Sequence, residues 1–214
     1  GRVALDTPDR DYQLSRVAAV VPVARFGGSA RPTPFIRLAS LDAAVTGAIA
    51  GPAQSLNVRG ATLGGRPDGI EFTVSRLALD RSVVSDIEGV LSSALAGLGL
   101  RARGRAPSVQ FADVHRLLPE FPEDGIASFD WTVEPAGSGL TAIRLSGMNL
   151  ASGESRVAGS TTILVGGETF QLGPVDVTLE PLDLAFVEHI VGPQPYAGLV
   201  RGSVTGSGER LAID

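Results

Sequence analysis

Val114-His-Arg-Leu-Leu-Pro-Glu-Phe-Pro-Glu-Asp-Gly125 is a short apolar segment stopped by a proline, followed by a turn and a glycine that opens a new strand. A similar arrangement occurs twice more. Arg16-Val-Ala-Ala-Val-Val-Pro22 leads to Gly28, and Val187-Glu-His-Ile-Val-Gly-Pro193 leads to Gly198. Proline cannot continue a helix and glycine reopens the chain, so each segment reads as a helical crossover between stretches of strand. The spacing predicts short crossover helices near 12–21, 109–118 and 183–191. In the first, Leu14, Val17, Ala18 and Val21 fall at helical intervals and Pro22 ends the run.

Between these markers the sequence is β-like. Ile36 and Leu38, then Leu41, Ala43 and Val45, alternate with polar or small residues over 33–50. Residues 55–63 read as a strand, Gly64 to Gly69 as a turn, and 70–80 as a longer strand. Residues 83–97 fit either a helix or a strand by periodicity alone. Comparison within the chain decides for a strand, because 77–89 aligns with 149–159, which continues into β-branched Thr161, Thr162, Ile163 and Val165.

The internal alignment extends further. Ser82 matches Ser155 and Pro119 matches Pro193, while Phe72, Val74, Leu77 and Leu79 match Ile143, Leu145, Met148 and Leu150. The repeat is roughly 70 to 75 residues, longer than most solenoid units. In both strands the alternation slips by one residue, after Val74 and after Leu145. An unabsorbed slip would send half the strand to the wrong face, so a β-bulge and strong curvature are expected there. Phe170, Leu172, Val175 and Val177 repeat the spacing across Gly173-Pro174, where an ordinary break is the alternative. The fold class is therefore mainly β: one elongated, curved, repetitive antiparallel sheet, as an open groove or closed as a sandwich. Its approximate units are 1–69, 70–142 and 143–214.

Composition bounds the function. Of 214 residues 43% are hydrophobic and 19% charged, enough apolar content to fold. All 18 basic side chains are arginine, charges of both signs are mixed along the chain, and the net charge is −5. No nucleic-acid partner is expected, since that requires a basic face to release phosphate counterions. With no cysteine there is no disulfide, thiolate metal site or thiol nucleophile. The longest apolar run, Val17 to Ala24, is far below the roughly 18 to 20 residues of a membrane span. The chain begins at Gly1 without methionine, so a fragment or processed product is expected, with any anchor lying upstream.

Catalytic and metal signatures are missing from the pattern. His115 and His189 each lie close before a proline of the repeat, so a structural position explains both. Glu120, Glu123 and Asp124 read as a solvated turn. Gly64-Gly65 and Gly166-Gly167 read as hairpin turns, because no helix with a Lys-Ser/Thr pair follows either. No enzyme activity and no cofactor are expected. Phe129, Trp131 and Val133 share one strand face, as core or as a contact for a ligand or partner. The candidate apolar groove or interface therefore comprises Phe72, Val74, Leu77, Leu79, Phe129, Trp131, Val133, Ile143, Leu145, Met148 and Leu150.

The segments 107–125 and 182–206, with strand phrases such as Gly153-Glu-Ser-Arg-Val-Ala-Gly159, resemble the linker and strand modules of AsmA-like and TamB-like proteins. The resemblance covers most of 70–214 and, more weakly, the first 70 residues. It implies a bacterial envelope protein in the periplasm whose curved sheet forms a groove lined by aliphatic side chains. Lipid acyl chains would be its partners, in lipid transport or outer-membrane assembly. Family members are usually far longer and membrane-anchored, and neither feature is present in these 214 residues. The alternative is a structural subunit of the same fold, docking on a membrane protein complex.

Overall fold

A computed structural model describes residues 3–7, 10–24, 35–46, 53–94, 97–119, 121–137, 139–166, 169–186, 196–207 and 210–213. Two compact units form, 1–104 and 105–214. The first contains β1 (Val3–Thr7), β2 (Arg10–Val20), β3 (Val23–Ala24), β4 (Ile36–Thr46), β5 (Gln54–Arg66), β6 (Gly69–Leu79) and β7 (Ser82–Ala94). Strand β8 (Gly97–Gln110) runs across the division and leads into α1 (Phe111–His115). The second unit continues with β9 (Ile126–Gly137), β10 (Leu140–Ser152), β11 (Ser155–Gly166), β12 (Thr169–Asp183), β13 (Leu199–Ser207) and β14 (Arg210–Ile213).

The protein is mainly β, and the strand pairs are antiparallel. In the first unit the order is β1, β2, β4, β5, β6, β7, with β3 also on β4; in the second it runs β9 through β14 in sequence. Neither order returns to its first strand, so the sheet is open and the sandwich alternative is not what forms. Hairpins explain this simple meander. Two-residue loops join Arg66 to Gly69, Leu79 to Ser82 and Ser152 to Ser155. Asp80 (φ +48°) and Gly153 (φ +53°) open the second and third loops, occupying the positive-φ position that a tight hairpin turn requires. The turn expected over Gly64 to Gly69 is thus confined to Pro67 and Asp68. Gly64 and Gly65 pair with Glu71 and Ile70 inside the ladder.

The crossovers were expected in three places. Residues 111–115 form α1, and 184–186 are helical, while 187–195 lie outside the described residues. The two are built alike. The Phe111 N–H donates to the Gly125 carbonyl at 2.9 Å, and the Leu184 N–H donates to the Gly198 carbonyl at 2.9 Å. Residues 12–21 correct the expectation, because 10–20 are strand β2 paired with β4. The register of that pair shifts between Ser15 and Ala18, with Arg16 at φ +53°. One inserted residue stretches the two-residue period to three, which in sequence imitates a helix.

Bulges occur elsewhere too. β10 shifts register against both neighbours just after Leu145, at Gly147 (φ +56°), as its alternation predicts. β12 runs unbroken through Gly173-Pro174, where the register with β11 shifts, so that dipeptide is a bulge rather than a break. A proline fits there because a bulge asks for no ladder donor. At Val74 the outcome differs from the expected bulge. The β5, β6 and β7 registers are unchanged across Ser75, and instead Gly60 (φ +62°) and Asp86 (φ +52°) on its two neighbours both depart from β geometry. All three strands slip together, so no register is lost.

Side chains at the hairpin end of β10 and β11 are fixed by polar contacts to the backbone. Ser155 is fully buried and its hydroxyl accepts the Asp183 N–H at 2.9 Å, while the Ser152 hydroxyl donates to the Asp124 carbonyl at 2.5 Å. Ser155→Ala leaves the Asp183 N–H without this acceptor. It is expected to destabilise by about 1 to 3 kcal/mol, read as a lower urea midpoint at unchanged slope.

Candidate ligand-binding face

Cross-strand pairing gathers the apolar positions onto one face in each unit. In the first, Leu63 pairs with Phe72 and Phe72 with Gly89; Ala61, Val74 and Ile87 form the next row; then Val58, Leu77 and Val84; then Leu56, Leu79 and Ser82. β4 extends these rows with Ile36, Leu38, Leu41 and Ala43. The shared slip at Ser75 keeps Leu77 and Leu79 on the face of Phe72 and Val74. Exposure follows suit: all four are half-buried, whereas Thr73, Ser75 and Arg76 are exposed. The Phe72 ring lies over Gly89, where a Cβ would meet its Cε1 at 2.9 Å.

The second unit repeats the plan. Val133, Ile143, Ile163 and Leu172 form one row; Trp131, Leu145, Thr161 and Val175 the next. Met148, Gly159, Val177 and Val204 follow, then Ala127, Leu150, Val157 and Leu179. Phe129 alternates with Ala127 and Trp131 and so shares their face. The β10 bulge is what puts Met148 and Leu150 on the face of Ile143 and Leu145. Each sequence-derived candidate therefore falls on one of two aliphatic faces, four in the first unit and seven in the second. Sequence reasoning missed the partners on β4, β5, β7, β11 and β12. Their alternation was visible, but only the registers put them in the same rows.

The opposite faces are polar. Asp42 Oδ1 accepts from Asn57 Nδ2 at 2.7 Å and from Arg59 at 2.8 Å, and the Thr62 and Thr73 hydroxyls meet at 2.7 Å. Arg103 pairs with Glu88, and Arg105 lies 3.8 Å from Asp130. These ion pairs are well exposed, so each is worth about 0 to 1 kcal/mol and serves solvation more than stability. No ionisable side chain occurs in the aliphatic rows named above.

The aliphatic faces stay accessible. Phe129, Trp131, Val133, Ile143, Leu145, Met148 and Leu150 are all half-buried; of the rows named above only Val58 and Ser82 in the first unit and Ala127 and Leu179 in the second are buried.

At one end of the second unit an aromatic cluster takes over. Phe111 is 1% exposed; its ring meets Phe121 edge-on at 4.9 Å and stacks near Phe186 at 6.2 Å. His115 Nδ1–H donates to the Phe121 carbonyl at 2.6 Å, closing the loop after α1. That contact gives His115 a structural role; His189 lies outside the described residues. Glu123 and Asp124 are exposed, and Glu120 lies outside the described residues. Among the described residues no group of three His, Cys, Asp or Glu gathers as metal ligands, and no helix is long and apolar enough to cross a membrane. No protein-family model, curated protein or solved structure matches the chain.

Proposed function

We propose that this is a non-catalytic, extracytoplasmic β-protein that carries lipid acyl chains on its aliphatic faces. The observation supporting this is the pair of half-exposed faces, each several strands wide and free of ionisable groups. Such a face binds hydrocarbon by removing CH₂ groups from water, at about 0.8 kcal/mol each, and needs no unique polar residue. Envelope lipid transport or assembly is the corresponding role, in the periplasm of a bacterium. A scaffold subunit would use the same faces differently, packing them shut against a membrane protein complex.

The single tryptophan makes the reading testable, because Trp131 lies in the second row of its face, directly opposite Leu145. Protein incubated with phosphatidylcholine brominated along its acyl chains is expected to lose most of its Trp131 emission. Organic extracts of protein purified without detergent are expected to contain phospholipid. Leu145→Glu places a charge on the bound chain and should reduce the extracted lipid by about ten-fold or more. Unquenched emission together with lipid-free extracts overturns lipid carriage. Recovery in a stoichiometric membrane complex with Trp131 shielded favours the scaffold.

A further inference from the structure

The second unit holds a hollow of about 330 Å³ that the acyl-chain reading does not use. Small residues, Ser128, Ala151 and Ala158, line it, Pro107 and Ile126 form an apolar wall, and Arg156 and Glu180 stand at its rim. Ile126 is 42% exposed although it is a large aliphatic residue. The volume is at the lower end for a small-molecule site.

Arg156 and Glu180 are neighbours across β11 and β12, one step beyond the pair Val157 and Leu179. Opposite charges at such positions would ordinarily form an ion pair. Here they do not pair with each other. Arg156 Nη1 donates instead to the Gly153 carbonyl at 2.9 Å and the Ser155 carbonyl at 2.7 Å, which fixes the guanidinium. Glu180 sits where β12 shifts register against β13, between Leu179 and Leu182. A bulge re-aims the side chain it carries, and Glu180 is among the residues that line the hollow. The result is a preset cation and anion, with backbones about 5 Å apart, beside an apolar wall.

We infer that this hollow binds a small zwitterion in which an ammonium and an acidic group are separated by a two-carbon spacer. Glu180 takes the ammonium, Arg156 takes the phosphate or carboxylate, and the spacer lies against Ile126 and Pro107. This inference does not rest on the acyl-chain reading, since the four side chains it uses, Arg156, Glu180, Ile126 and Pro107, lie outside the aliphatic rows, although Ala127, Leu150 and Val157 of those rows also border the hollow. Phosphoethanolamine carries the required groups, and the same chemistry occurs as a lipid headgroup.

Titration calorimetry on the intact chain with free phosphoethanolamine tests it. Saturable binding is expected, weakened roughly ten-fold or more by either Glu180→Gln or Arg156→Gln, as loss of a charge-assisted hydrogen bond implies. Ethanolamine alone and inorganic phosphate alone should each bind more weakly than the zwitterion. Both variants change exposed side chains, and an unaltered circular dichroism spectrum and urea midpoint show that they fold. A second arm uses vesicles of phosphatidylethanolamine against vesicles of phosphatidylglycerol. A preference for the former, lost in both variants, assigns the site to a headgroup, whereas binding of the free zwitterion only assigns it to a soluble ligand. No binding in either arm, or binding that both variants leave unchanged, overturns the inference.

Discussion

Phe111→Ala is expected to cost about 3 to 5 kcal/mol, the range for emptying an aromatic site in a well-packed core. Phe111 is 1% exposed, and the rings of Phe121 and Phe186 pack against it. It joins three separate chain segments: the start of α1, the loop that follows, and the helical stretch after β12. Among the described residues few other large side chains are fully buried, so little surrounding structure is placed to fill the space. Against a typical total of about 5 to 15 kcal/mol, the loss is large enough to unfold much of 105–214. Trp131 belongs to that unit, and its emission during urea unfolding follows the transition. Leu118→Ala, on the same loop but 45% exposed, should stay within about 0.5 kcal/mol and serves as the control. Equal effects of the two substitutions would show that the aromatic cluster is not what holds the unit together.

How much of this was readable from sequence depends on whether bulges were recognised. Alternation located most strands, and the step from Leu145 to Met148 read correctly as a bulge because the same step recurs from Val74 to Leu77. The step from Leu14 to Val17 is the same phenomenon, yet it read as a helix. There the apolar run is short, it ends in Pro22, and the chain slips at Arg16. A strand with one inserted residue and an amphipathic helix both place apolar residues three apart, and only the partner strand distinguishes them. The aliphatic faces were legible for a related reason: the meander pairs strands in sequence order, so alternation within each strand suffices. The hollow was not legible. Arg156 and Glu180 become neighbours only through the β11 and β12 register, and the bulge that carries Glu180 has no signal in its own strand beyond the proline that follows it.

The repeated crossover supplies a comparison in which strain and collision can be separated. Gly125 and Gly198 occupy equivalent places: each accepts the N–H that starts a helical stretch, and each has positive φ, +149° and +124°. Any L residue is strained there, at a cost on the order of 1 to 3 kcal/mol. Their surroundings differ. A Cβ at Gly198 meets nothing within 4 Å, whereas one at Gly125 would fall onto the Phe111 ring, 2.6 Å from Cε2, with the Ala151 carbonyl oxygen at 2.9 Å. Gly198→Ala therefore measures strain alone. Gly125→Ala should cost about 1 to 3 kcal/mol more, the usual penalty of overpacking. If the ring causes the difference, relieving the ring should recover it. Phe111→Leu keeps an apolar side chain but removes the ring atoms that the new methyl meets. In a double-mutant cycle, Gly125→Ala should then cost less in the Phe111→Leu background than in the wild type, by about 0.5 to 3 kcal/mol of coupling. Additivity would put the collision on the Ala151 carbonyl instead, and equal costs for the two glycines would remove the collision altogether.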